Sequence, residues 1–159
     1  MTPRLTNPHA LFPAGIKAMV ALETALHQTG LDPVLLELIK LRASQINACA
    51  FCIHMHTTAL RKRGVEEMKL YLLNAWREST LFSDRERAAL GWTEALTRVA
   101  ETGAPDADYA AFAFVFTEEE QVQLTLAIGA INLWNRMQVG FRAAHPVDAP
   151  MAEQPRAAA

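Results

Sequence analysis

Cysteine is nearly absent from this 159-residue chain: there are two, three positions apart in "NACAFCIHMHTTAL", residues 47–60. A disulfide-built secreted scaffold is thereby excluded. Equally missing are a block of basic charge, a long apolar run and a nucleotide or flavin motif. Lys and Arg total 15 against 17 Asp and Glu, and the cations are scattered singly among acids, which leaves no nucleic-acid footprint. Pro13 and Lys17 interrupt the first apolar stretch and Glu23 ends it, so no secretory pattern forms. No window approaches a membrane span. These absences predict a cytoplasmic protein that uses no cofactor and binds neither nucleic acid nor membrane.

What is present reads as helix. Hydrophobic residues make up 51% and charged ones 20%, enough apolar surface in one domain to predict a homo-oligomer. Helical periodicity runs almost everywhere and no stretch alternates as a strand does. We expect an N-terminal arm over residues 1–12, a helical domain over 13–145 and a disordered tail over 146–159, where proline, alanine and charge alternate without an apolar face. The domain reads as all-α, with six to seven helices. One runs from Pro13 to His27 and stops at Gly30; Asp32 and Pro33 start a second, leucine-rich one. The cysteine segment follows, to about Arg63, and then a single helix over 65–78. Ser83 with Glu86 and Thr117 with Glu120 have capping-box spacing at the heads of helices over 83–102 and from 117 onward, with a short helix over 106–115 between them.

Within a helix turning about 100° per residue, Cys52 lies about 60° from Cys49, and His56 falls between them further along. His54 points about 140° away. In a reducing compartment such a pair serves as a reversible redox couple, as metal ligands, or as small core residues beside a histidine. A redox couple needs a thiolate, and His56 stands where it can take a proton from Cys52, while Cys49 at the helix start sits among free N–H groups that favour an anion. Zinc would take Cys49, Cys52 and His56 with Glu37 as a fourth ligand, but the second cysteine pair of most such sites is missing. A haem-attachment motif is excluded, because Ile53 follows Cys52 where a histidine is required. An imidazole acting as a base needs a partner that holds its tautomer, and Glu37 in "LLELIKL" supplies one if the two helices pack antiparallel.

Glu37, Cys49, Cys52 and His56 together resemble the E…C-x-x-C-x-x-x-H signature of the alkylhydroperoxidase AhpD-like branch of the carboxymuconolactone decarboxylase superfamily. "LRASQINACAFC", "SDRERAALGWTEALT" and "AINLWNRM" resemble that branch too, so the likeness runs from about residue 14 to 143. Ala48 stands where relatives often have glycine, and His54 where many carry an acid. The resemblance implies an AhpD-like helical domain assembled as a trimer or hexamer, and peroxide reduction driven by an external dithiol or protein thiol. It further implies that Cys52 attacks the peroxide, Cys49 resolves, and protons pass through His56 to Glu37. The alternative function is a thiol-disulfide sensor or partner-binding protein without turnover.

The remaining candidates read as structural. Trp76, Trp92 and Trp134 are expected as core or subunit-interface anchors. Asn132, Asn135 and Arg136, polar on a strongly apolar helix, are expected to make buried hydrogen bonds or a subunit contact and are assigned no chemistry. Arg61, Lys62 and Arg63 complement a helix C-terminus, and His9, His27 and His145 are expected to be solvated.

Overall fold

A computed structural model describes residues 2–144, so the expected tail and His145 lie outside the described residues. The described chain is all-α, with no strand. Its helices are α1 (Pro8–Leu11), α2 (Pro13–His27), α3 (Pro33–Ile46), α4 (Ala50–Lys62), α5 (Glu67–Tyr71), α6 (Asp84–Thr97), α7 (Val99–Thr102), α8 (Asp106–Val115) and α9 (Glu118–Phe141), with a 3₁₀ turn at Leu73–Ala75. No helix among the described residues is long and apolar enough to cross a membrane.

Local chemistry sets the helix starts. The Asp32 carboxylate accepts from the Val34 N–H at 2.9 Å with Pro33 at the first helical position, and both capping boxes close, Ser83 with Glu86 and Thr117 with Glu120. The leucine-rich α3 is the central element: every residue from Leu35 through Ser44 is buried. It packs against α4, α6 and α9. On one side Leu35, Leu36 and Ile39 meet Trp92, Phe112 and Ile128; on another, Leu38 and Leu41 meet Leu60, Leu73 and Trp76. A third, small cluster joins Ala43, Cys49, Cys52 and Ile131, so the cysteines sit where α3, α4 and α9 converge.

Two expected helices are broken. The segment 65–78 is α5 followed by the 3₁₀ turn, with Leu72 leaving the helix at φ −90° and ψ 4°. Leu70, Leu73 and Trp76 are buried at steps of three, the period of a 3₁₀ turn rather than of an α-helix. The segment 83–102 breaks at Arg98, φ −107° and ψ 30°, and the Thr102 hydroxyl bridges the break to the Ala95 carbonyl at 2.7 Å. Residues 2–12 return to their own chain: the Arg4 backbone N–H donates to the Phe141 carbonyl at 3.0 Å, and the His9 ring meets Trp134 edge-on at 6.0 Å.

Glu94 on α6 ties the second core region together. Only 8% exposed, it accepts from Arg42 Nε at 2.7 Å, Trp76 Nε1 at 2.9 Å and Arg77. Burial pushes its carboxyl up, but the hydrogen bonds from Arg77, Trp76 and Arg42 outweigh that and hold it below the usual 4.5. Glu94→Leu strands the buried Arg42 and is expected to lower the unfolding free energy by about 3 kcal/mol in urea melts. Because the folded value is depressed, the stabilisation is present above the unfolded value and fades as pH falls through the folded one. The gap between wild type and variant should therefore narrow on acidification.

Candidate active site

The site begins at the turn between α3 and α4. Asn47 ends α3, and Ala48 enters the left-handed region at φ 52°, at a cost of about 1 kcal/mol for a residue with a β-carbon. That reversal lets the Cys49 N–H donate to the Ser44 carbonyl at 3.0 Å and places Cys49 at the N-cap of α4. Its sulfur accepts from the Cys52 backbone N–H at 3.4 Å. Cys49 therefore precedes the helix, φ −85° and ψ 92°, which corrects the expectation that all three side chains ride one helical stripe. The sulfurs meet because one caps the turn on which the other sits.

Both cysteines are free thiols, each 1% exposed. The hydrogen bond from the Cys52 thiol is the largest influence on Cys49; burial opposes it, and the Cys52 and Phe51 backbone N–H groups and the Asn135 carboxamide support it, leaving the Cys49 thiol lowered to about 7. Cys52 moves the other way. Its proton is committed to Cys49, and burial and the neighbouring negative charge push it well above a free thiol. The first proton of the pair therefore leaves from Cys49, and the second is held by Cys52.

His56, one turn beyond Cys52, is 5% exposed, and its Nδ1 lies 2.8 Å from Glu37 Oε2. Burial pushes the Glu37 carboxyl up, but the His56 hydrogen bond and the charges of His56, Lys40 and His27 outweigh that and hold it below the ordinary value. An ionised carboxylate only accepts, so Nδ1 carries a proton, and in the neutral ring Nε2 offers a lone pair. That Nε2 is buried and has no partner. His56 lines, with Cys52 and Glu37, a cavity of about 360 Å³ walled by Phe51, Met55 and Trp134. Cys49 is not in the wall. Among the described residues no group of three or more His, Cys, Asp or Glu side chains is arranged to hold a metal ion.

All four expected residues thus come together, in two layers, with Cys52 and the Glu37–His56 pair on the cavity and Cys49 behind. Of the tryptophans, Trp76 and Trp92 are buried, with indole N–H groups on Glu94 and Thr125, whereas Trp134 walls the cavity. His27 is exposed and also lines the cavity, as does the buried Lys40, whose ammonium pairs with Glu23 at 2.5 Å. Asn135 was expected to make buried hydrogen bonds or a subunit contact; it makes the hydrogen bonds, with Asn47 and Ser44, and its carboxamide is among the influences that lower Cys49. Its signal in the sequence was a carboxamide on an apolar helix face.

The model of the carboxymuconolactone decarboxylase family matches residues 13–95. YdfG of Bacillus subtilis, an uncharacterized protein, is 41% identical over 138 residues, covering 86% of this chain and 94% of YdfG. A crystal structure of a protein of unknown function from Agrobacterium tumefaciens, proposed as the antioxidant-defence protein AhpD, is 46% identical with a TM-score of 0.87 over 91% of this chain and 99% of its own. The alkylhydroperoxidase AhpD core of a peroxidase-related protein from Ralstonia eutropha shares the fold at 21% identity, with a TM-score of 0.76 over 93% of this chain and 79% of its own. The chain belongs to the carboxymuconolactone decarboxylase family, in its AhpD-like branch.

Proposed function

We propose that the protein is a thiol-dependent peroxidase that reduces organic hydroperoxides or hydrogen peroxide with Cys49 and Cys52. The observation that carries this reading is the buried, partnerless Nε2 of His56 beside Cys52 in one cavity, with Glu37 behind the ring. A peroxide entering there meets the Cys52 sulfur and a base together. Cys52 gives its proton to Nε2, and Glu37 stabilises the imidazolium. The Cys52 thiolate then attacks the terminal peroxide oxygen; the O–O bond breaks, Cys52 becomes a sulfenic acid, and the alkoxide leaves as alcohol with the proton from His56. Cys49, whose thiol is lowered at the N-cap, attacks the Cys52 sulfur as its thiolate and expels hydroxide, which takes a proton from solvent and departs as water. One disulfide forms per peroxide. An external dithiol or a protein thiol restores the pair, and the protein is expected to work in the cytoplasm as a trimer or hexamer.

The reading is tested by mixing reduced protein with one equivalent of cumene hydroperoxide and counting free thiols by mass spectrometry. Two thiols should vanish per peroxide, with a Cys49–Cys52 bridge, and an added dithiol should sustain turnover. Thiols that survive the peroxide overturn the reading. A bridge that forms slowly and never turns over replaces it with the sensor.

A further inference from the structure

The cavity at Cys52 has apolar walls, Phe51, Met55, Ile131 and Trp134 among them, but it also holds charge. Glu23 enters it from α2, and Glu37 and Lys40 from α3. The Lys40 ammonium, 3% exposed, lies 2.5 Å from Glu23 Oε2, so its charge is spent on that carboxylate. Glu37 turns instead to the His56 ring, at 2.8 Å. Two carboxylates and one ammonium leave the wall with negative charge in excess. Its other titratable groups are the imidazoles of His27 and His56, which add no charge while neutral, and the Cys52 thiol. Passage of the Cys52 proton to His56 moves charge within the wall and leaves its sum the same. The antiparallel packing that brings Glu37 to His56 also carries Lys40, one turn further along α3, level with Cys52, one turn back along α4. The Glu23–Lys40 pair therefore stands at the height of the reacting sulfur.

We propose that Glu23 and Lys40 set the charge selectivity of the Cys52 cavity: it admits uncharged organic reactants and turns away anionic ones, because Glu23 cancels the one ammonium that would draw an anion to the sulfur. In a cleft with low-dielectric walls an excess of one sign focuses its field on whatever enters, so a carboxylate on the incoming molecule is repelled. A buried ion pair adds little to a fold that a well-packed apolar pair would not, and its place on the wall points to the cavity. For the peroxidase, the substrate is then an uncharged hydroperoxide with an apolar body and not one that carries a carboxylate. This substrate class rests on the peroxidase reading; the selectivity of the wall does not.

The test compares iodoacetamide with iodoacetate, two reagents of one shape that differ by a charge, on the Cys49→Ser protein, where Cys52 is the only thiol. The same thiolate attacks both, so the ratio of their rates, read by intact mass and set against N-acetylcysteamine in solution, cancels any change in its ionisation. Iodoacetate should be disfavoured at Cys52 at least about tenfold more than at the free thiol. Glu23→Gln leaves Lys40 an acceptor and should relieve that penalty about tenfold, whereas Lys40→Gln leaves Glu23 a donor and should deepen it. Apolar walls alone would disfavour iodoacetate equally in all three proteins. A Cys52 ratio equal to that of the free thiol, or one that neither substitution moves, overturns the proposal. Should neither substituted protein fold, salt decides: the penalty should shrink between about 0.01 M and about 1 M potassium chloride, and one that stays fixed overturns the proposal. With a dithiol present, wild type should consume cumene hydroperoxide at least about tenfold faster than its para-carboxylate, and equal rates overturn the substrate class. The expected alkylation ratios with neither peroxide consumed would retire the peroxidase reading and leave the charge selection standing.

Discussion

Cys52→Ser is expected to lower hydroperoxide consumption by at least roughly a thousandfold, while Cys49→Ser should still consume one equivalent and then stop. The asymmetry follows from the two layers of the site. Cys52 lines the cavity and Cys49 does not, so peroxide meets the first sulfur and not the second. Serine at 52 cannot be oxidised by a peroxide, and it leaves the Cys49 thiolate behind the wall. Serine at 49 removes the negative neighbour and the shared proton that push the Cys52 thiol up, so Cys52 ionises more readily than in wild type. Its sulfenic acid then has no resolving partner and should be captured by dimedone, on Cys52 alone. The lower pKa of Cys49 does not make it the attacking residue, because ionisation without access gives no reaction. A dimedone adduct on Cys49 in Cys52→Ser, with none on Cys52 in Cys49→Ser, would reverse the roles.

How far the sequence discloses this molecule depends on the range of the interactions involved. Asp32 before Pro33, and the two capping boxes, are legible because each bond closes within a few residues. The breaks at Leu72 and Arg98 are not. Both lie in segments with helical patterning, and the burial of Leu73 and Trp76 against α3 and α6 decides the first of them. At the site, His56 is legible because its distance from Cys52 is one helical turn. Glu37 is legible only with an assumption about packing, which the 2.8 Å contact satisfies. The N-cap position of Cys49 is hidden, because it depends on Ala48 taking a conformation that favours glycine. Asn135 is half legible. Its type and helix face announce a buried hydrogen-bonding group, but Ser44 and Asn47 reach it only through tertiary packing.

Glu37→Gln should lower the peroxidase rate by about a hundredfold or more, while leaving the fold intact. Glutamine has the same shape, and its carbonyl can still accept from Nδ1–H, so the ring stays in place with Nε2 toward the cavity. What is lost is the negative charge that makes an imidazolium tolerable in a buried site, and with it the driving force for taking the Cys52 proton. The pH profile separates this from a packing defect. In wild type turnover should rise through about 7 as Cys49, the resolving thiol, ionises. Glu37, held below 4.5, stays ionised throughout that rise and adds no limb of its own there. Glu37→Gln should lower the plateau above the rise without moving its midpoint far, since the charge on Cys49 is set by Cys52, the α4 N-terminus and Asn135. If the carboxylate acts only through the ring, Glu37→Gln combined with His56→Phe should be no slower than His56→Phe alone. Multiplying losses in the double variant, or a Glu37→Gln plateau equal to wild type, would separate the carboxylate from the imidazole and leave Cys52 to lose its proton by another route.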